Sequence, residues 1–121
     1  VKVTVRITRS FAIAAKPLLK KYPSLAKDLL RLELDLNSNP KMGTPLGQNV
    51  YKIRVKISSK GQGKSGGARV ISLVETILVG ELEVTEEETT VNLITIYDKA
   101  DTASISSKEL KELIKTFHRQ K

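Results

Sequence analysis

Apolar positions along this chain switch between the two-residue period of a strand and the 3.6-residue period of a helix. Val1, Val3, Val5 and Ile7 alternate with Lys2, Thr4, Arg6 and Thr8, which predicts a half-buried strand. Ser10 is placed to cap a helix beginning at Phe11, with Phe11, Ala14, Ala15, Leu18 and Leu19 as its apolar stripe. Pro17 inside that run predicts a kink or a restart. Tyr22-Pro23-Ser24 interrupts the pattern, and Ser24 reads as the next N-cap. Leu25, Leu29, Leu32 and Leu36 then line one helical face, with Leu30 and Leu34 beside it, until Asn37-Ser38-Asn39-Pro40 stops the run. Two helices so closely joined form a helical hairpin that must cover a sheet to bury its leucines.

Lys41 to Asn49 reads as a loop. From Tyr51 the two-residue period returns: Tyr51, Ile53, Val55 and Ile57 alternate with Lys52, Arg54 and Lys56, giving a strand with one apolar and one cationic face. A Gly/Ser-rich loop leads to a strand from Ala68 to about Val79. The acidic stretch from Gly80 to Thr90 reads as a long, irregular hairpin end, and Val91 to Tyr97 as a further strand. Ser106 and Glu109 form a capping box ahead of a helix whose stripe is Leu110, Leu113, Ile114 and Phe117. The predicted fold is α+β: an N-terminal strand, a helical hairpin, a three-stranded largely antiparallel sheet and a C-terminal helix. It occupies a single domain spanning residues 1–121, without internal repeats.

Composition adds a partner to this outline. At 121 residues, 40% of them hydrophobic, the chain suits one domain with a modest core. It carries 21 Lys and Arg against 13 Asp and Glu, a net +8. Five of those acids, Glu81, Glu83, Glu86, Glu87 and Glu88, sit in one short stretch. By contrast, no acid occurs between Leu36 and Val74, where Lys41, Lys52, Arg54, Lys56, Lys60, Lys64 and Arg69 lie. Such clustering points to a polyanion, most simply nucleic acid; the plainer reading is a well-solvated basic surface. With no Cys, disulfides and thiolate metal sites are excluded, which fits a reducing, cytoplasmic setting. No apolar run approaches the roughly 18 residues of a membrane span, so no membrane association is expected. The opening VKVTVRIT reads as a strand, not a signal peptide, and the missing initiator Met suggests a trimmed chain.

Candidate chemistry concentrates in the basic window. Ser58 to Ser65, SSKGQGKS, invites a phosphate-loop reading through Gly63-Lys64-Ser65. That motif needs Gly where Ser58 stands and a helix directly afterwards, whereas a strand is predicted, so no nucleotide cofactor is expected. Gly63 to Gly66 also matches the GxxG of KH domains, but with strands where that fold has helices. What remains is a hairpin loop whose Lys60 and Lys64 can grip phosphate. Tyr97 and Lys99 share the face of Thr95, opposite Ile94 and Ile96, and in an antiparallel sheet can meet Lys52, Arg54 and Lys56. The plainer reading is an edge tyrosine with an exposed lysine. His118 is the single histidine, which excludes histidine-pair acid–base chemistry. The basic surface offers no carboxylate cluster for zinc or magnesium, so neither metal nor cofactor is expected.

KxYPSLxxDL, NPxxGTPLGxNxYKIRV, SKGxGKSGGARVI and LITIYDK, in that order, resemble toxins of the RelE/ParE superfamily, closest to its HigB/RelE branch. The resemblance covers nearly the whole chain, and the element order agrees with that family's fold. It implies the toxin half of a bacterial type II toxin–antitoxin pair. Its activity would be ribosome-dependent, metal-independent endoribonuclease cleavage of mRNA, silenced by a cognate antitoxin protein. The alternative is a non-catalytic module, either a ParE-like gyrase inhibitor or a plain RNA binder. By the resemblance, Lys52 falls at a catalytic lysine, Arg54 at the second cation of that strand, and Arg69 at the arginine opening the next strand. Lys99 falls near the basic residue after the last strand. Ile105 stands where the family has its C-terminal tyrosine, leaving Tyr97 as the substitute. Lys56, Lys60 and Lys64 would bind RNA.

Overall fold

The computed structural model describes residues 2–60, 66–81, 84–102 and 104–120; for residues 81, 84 and 85 it describes the backbone alone. The elements run β1 (Lys2–Ile7), α1 (Arg9–Lys21), α2 (Leu25–Ser38), β2 (Thr44–Gly47), β3 (Val50–Val55), a 3-10 turn (Ser58–Lys60), β4 (Ala68–Glu81), β5 (Val84–Asp98) and α3 (Ser107–Arg119). The fold is α+β, as expected, but its sheet is larger than three antiparallel strands. Five strands lie in the order β1-β5-β4-β3-β2. All neighbours are antiparallel except β1, which runs parallel to β5 from Lys2↔Glu88 to Ile7↔Leu93. The added strand β2 occupies part of the expected 41–49 loop. It pairs with β3 through a turn in which Gln48 and Asn49 both have positive φ, 52° and 65°. Such a turn matches the strand twist of a two-residue hairpin.

The starts of α1 and α2 differ from the simple capping expectation. Thr8, not Ser10, caps α1, its Oγ1 accepting from the Phe11 N–H at 3.3 Å. The Ser10 hydroxyl donates instead to the Ile94 carbonyl, and Thr8 Oγ1 to that of Leu93 at 2.7 Å. Pro17 does not restart the helix, which runs unbroken to Lys21. Pro17 and Ile13, the residue whose carbonyl loses its intrahelical donor, both lie on the exposed side of the helix. Ser24 sits at the N-cap of α2 without a side-chain cap bond, because its hydroxyl is engaged with Asp28 and Ser59. Ser106 does accept from the Glu109 N–H, at 3.1 Å, as the capping box predicts.

Core forms on both faces of the sheet. On one, α1 lies chiefly on β5 and α2 on β1 and β3; the helices touch each other sparingly, so they are two separate props and not a tight hairpin. Phe11, Leu18, Leu25, Leu32 and Leu36 meet Ile53, Val70 and Val91 there. On the other face, Leu110, Leu113, Ile114 and Phe117 of α3 cover Val50, Ile71, Leu73 and Ile94. Ile94 belongs to this second cluster, not beside Ile96, because the β4–β5 register slips between Ile71 and Ser72. A bulge leaves one residue of a strand unpaired and shifts the alternation beyond it. The freed carbonyls of Leu93 and Ile94 are those taken by Thr8 and Ser10. The acidic stretch is also more regular than expected: β4 and β5 stay paired out to Glu81↔Val84. Among the described residues no helix is long and apolar enough to cross a membrane.

Candidate nucleic-acid interface

Strand register assembles the candidate site. Arg54 of β3 lies opposite Arg69 of β4, and Arg69 opposite Tyr97 of β5, so three of the sequence-selected residues form one rung across the sheet. The adjacent rung on that face is Lys52, Ile71 and Thr95. Cross-strand neighbours have Cβ atoms about 5 Å apart, so the rung is a continuous surface. The alternation of β3 sets the direction: Ile53 and Val55 are buried under the helices, which turns Lys52 and Arg54 to the opposite face. Gly67 permits this register. A Cβ there would lie 2.1 Å from the Val55 carbonyl oxygen, so a side chain would push β4 away from β3 just beside Arg69.

The rung residues differ in access. Arg54 is exposed and Lys52 half-buried, whereas Arg69 is only 6% exposed and donates from Nη1 to the Ala68 carbonyl at 3.2 Å. Arg69 is thus a cation set behind Arg54. Tyr97 is half-buried, and its hydroxyl is buried and has no hydrogen-bond partner among the described residues. That disposition suits stacking on a base better than moving a proton. A buried, unpartnered hydroxyl costs about 1–3 kcal/mol. Tyr97→Phe is therefore expected to leave Tm unchanged or raise it, and to keep RNA affinity, while Tyr97→Ala loses affinity by about 1–3 kcal/mol of stacking. Thermal melts and RNA titrations of the two variants check this; a Phe variant that binds as weakly as the Ala variant would show that the hydroxyl and not the ring makes the contact.

The remaining sequence candidates fall elsewhere. Lys56 lies just past the end of β3 and lines an open groove of about 440 Å³ beside α2, with Lys27, Arg31, Asp28 and Asp35; Arg54 at the strand edge also contributes to its wall. Lys60 turns to the helix side, where its Nζ donates to Asp98 Oδ1 at 3.0 Å and to the Gly66 carbonyl at 2.9 Å. It also sits 5.5 Å from the centre of the Tyr22 ring. Lys99 follows the end of β5, half-buried, its N–H donating to the Gly67 carbonyl at 3.0 Å. Lys64, with Gly63 and Ser65, lies outside the described residues. Ile105 packs under α3 and His118 is exposed, its ring edge-on to Phe117.

Pattern reading passed over the two carboxylates that anchor this region. Asp98, 3% exposed, accepts from the Tyr22 hydroxyl, Lys60 and the Ala100 N–H. Burial alone would raise its pKa; those hydrogen bonds and the Lys60 charge outweigh it and hold the carboxyl below its ordinary 3.8. Asp28 accepts from the Ser58 N–H at 2.9 Å, the Ser58 hydroxyl at 2.6 Å and the Ser24 hydroxyl at 2.8 Å. Its burial is likewise outweighed by these bonds, with a smaller help from Lys56, and its pKa is also lowered. The two clusters fix the base of the 58–67 loop to α1 and α2. Asp98 had a readable signal: it continues the phase of the buried Ile96, and an acid at a core position needs partners. Among the described residues no group of three or more His, Cys, Asp or Glu is placed to hold a metal ion. Compared with known protein families, curated proteins and solved structures, the chain matches none.

Proposed function

We propose that the chain is the toxin of a type II toxin–antitoxin pair, a ribosome-dependent endoribonuclease that cuts mRNA without a metal and so arrests translation. The observation that carries this reading is the Arg54–Arg69–Tyr97 rung with Lys52 on the next. RNA supplies its own nucleophile. The 2′-oxygen attacks the adjacent phosphorus, an O2′–P bond forms, the P–O5′ bond breaks, and a 2′,3′-cyclic phosphate and a 5′-hydroxyl result. The protein has to hold the attacking oxygen in line, neutralise the extra charge on the phosphoryl oxygens and move two protons. Arg54 is the accessible fork for the phosphoryl oxygens, with Arg69 adding positive potential from behind. Lys52 is the candidate for taking the 2′-OH proton, and Lys99 a further cation at the end of the site. The ring of Tyr97 stacks on a base next to the scissile bond. Lys56 extends the phosphate track towards α2, and Lys60 supports the loop that carries Lys64. The partners on this reading are mRNA, the ribosome and an acidic antitoxin segment covering the rung, and the work is done in the cytoplasm.

The buried Tyr97 hydroxyl favours a second reading, a non-catalytic RNA-binding module or a ParE-like gyrase inhibitor, because it leaves the proton transfer to Lys52 on the adjacent rung. Mapping mRNA 5′ ends after incubating purified protein with programmed ribosomes and chelator separates the two. New ends within the ribosomal A site support the nuclease, and none sinks it. Both readings share one expectation. With three or four phosphate contacts, log affinity for single-stranded RNA falls with log salt at a slope of about −2 to −3. A near-zero slope in a fluorescence titration across salt would remove the phosphate-binding surface altogether.

A further inference from the structure

The β4–β5 hairpin outgrows the sheet. The last β3–β4 pair is Val50↔Leu73, and β1 first meets β5 at Lys2↔Glu88. From the Ile77↔Glu88 rung, where β1 still flanks β5, β4 and β5 run on as a two-stranded ribbon, Leu78 to Gly80 facing Thr85 to Glu87 with no sheet neighbour among the described residues. Such a ribbon is marginal in water by itself. This one nevertheless exposes three consecutive apolar side chains: Ile77 at 59%, Leu78 at 73% and Val79 at 44%. Ile77 lies opposite Glu88 and Val79 opposite Glu86, so one face of the ribbon is apolar with an acidic border.

A complementary surface exists on the same chain. A groove of about 460 Å³ along α1 is lined by Ile7, Ala12, Leu19 and Leu29 and bordered by Lys16 and Lys20. Ile7 is 65% exposed and Leu19 41%. The ribbon cannot reach its own groove. Lys2 pairs beside the ribbon base and Ile7 pairs at Leu93, so the groove begins five residues, at about 3.3 Å each, towards the far end of β1. We propose that the ribbon of one copy docks in the α1 groove of a second, with Ile77 and Val79 on the apolar floor and Glu86 and Glu88 against Lys16 and Lys20. Made reciprocally about a two-fold axis, the contact closes as a dimer and covers both apolar surfaces of each chain. It is independent of the nuclease reading.

Sedimentation equilibrium tests it. The wild-type chain is expected to dimerise at about ten micromolar, near the affinity of a modest interface. Glu86→Lys with Glu88→Lys on the ribbon, or Lys16→Glu with Lys20→Glu in the groove, should each weaken the dimer about tenfold or more through like-charge contacts. A chain carrying both pairs of swaps should regain the dimer, because the charges match in reverse. Thermal melts show that each variant is folded. A wild-type chain still monomeric at about 100 micromolar overturns the proposal. So does a dimer indifferent to both swaps, or folded double-swap protein that stays monomeric. Dimerisation lost only on Leu78→Lys would instead mean that free β4 edges pair with each other, which also overturns it.

Discussion

Arg54→Ala is expected to slow ribosome-programmed mRNA cleavage about a hundred- to thousandfold, the loss of about 3–4 kcal/mol that follows removal of one key donor to a transition-state oxyanion. Arg54 is the residue to change because it is exposed on the rung and outside the core, so its truncation should leave the fold intact. Lys52→Ala should cost about a hundredfold or more if Lys52 takes the 2′-OH proton. Arg69→Ala is harder to interpret. At 6% exposure its truncation leaves a buried gap, so the loss of cleavage would combine chemistry with folding. Arg69→Lys keeps the positive charge while losing the fork, which makes it the more informative change. Single-turnover cleavage with chelator present, beside circular dichroism melts, is the measurement. An Arg54→Ala protein that cleaves as fast as wild type would remove the rung from catalysis.

Asp98→Ala is expected to be the most destabilising single change outside the apolar core, by about 3–5 kcal/mol, because it strands Lys60 without a counter-charge. For a chain of this size that is a fall in Tm of more than about 10 °C. The change also frees the Tyr22 hydroxyl and the end of β5, so Tyr97 and Lys99, which flank Asp98, lose their placement and RNA affinity falls with stability. The pH dependence has a definite sign. Both Asp98 and Asp28 have folded-state pKa values below the ordinary 3.8. A depressed carboxylate contributes stability that is fully present above the unfolded value and is lost as pH falls through the folded one. Wild-type Tm should therefore be steady from about pH 7 down to about pH 5 and drop below about pH 4, while Asp98→Asn starts lower and drops less. An Asp98→Ala melt within about 2 °C of wild type would show that the buried pair is not what holds the loop base.

The elements legible from sequence were those whose signal is local. The period of Tyr51 to Ile57 placed Lys52 and Arg54 on the face opposite the apolar one, and burial of Ile53 and Val55 under α1 and α2 agrees. The stripe on α3 and its Ser106 cap follow equally from nearest-neighbour chemistry. What tertiary structure decided were pairings between distant residues. Alternation in β1 predicts a strand but not its neighbour, and only the packed sheet sets it parallel to β5. Strand β2 was hidden because Gln48 is not a customary turn residue, although Asn49 is, and its strand is wholly exposed. The bulge at Ile94 inverted one residue's expected face, since a two-residue period carries no record of an inserted residue. Lys60 shows the same limit in the candidate site. As one cation among seven it reads as a phosphate ligand, and only folding brings Asp98 and the Tyr22 ring against it. Charge composition determines that cations crowd this window of the chain; which of them remain accessible depends on contacts made across the fold.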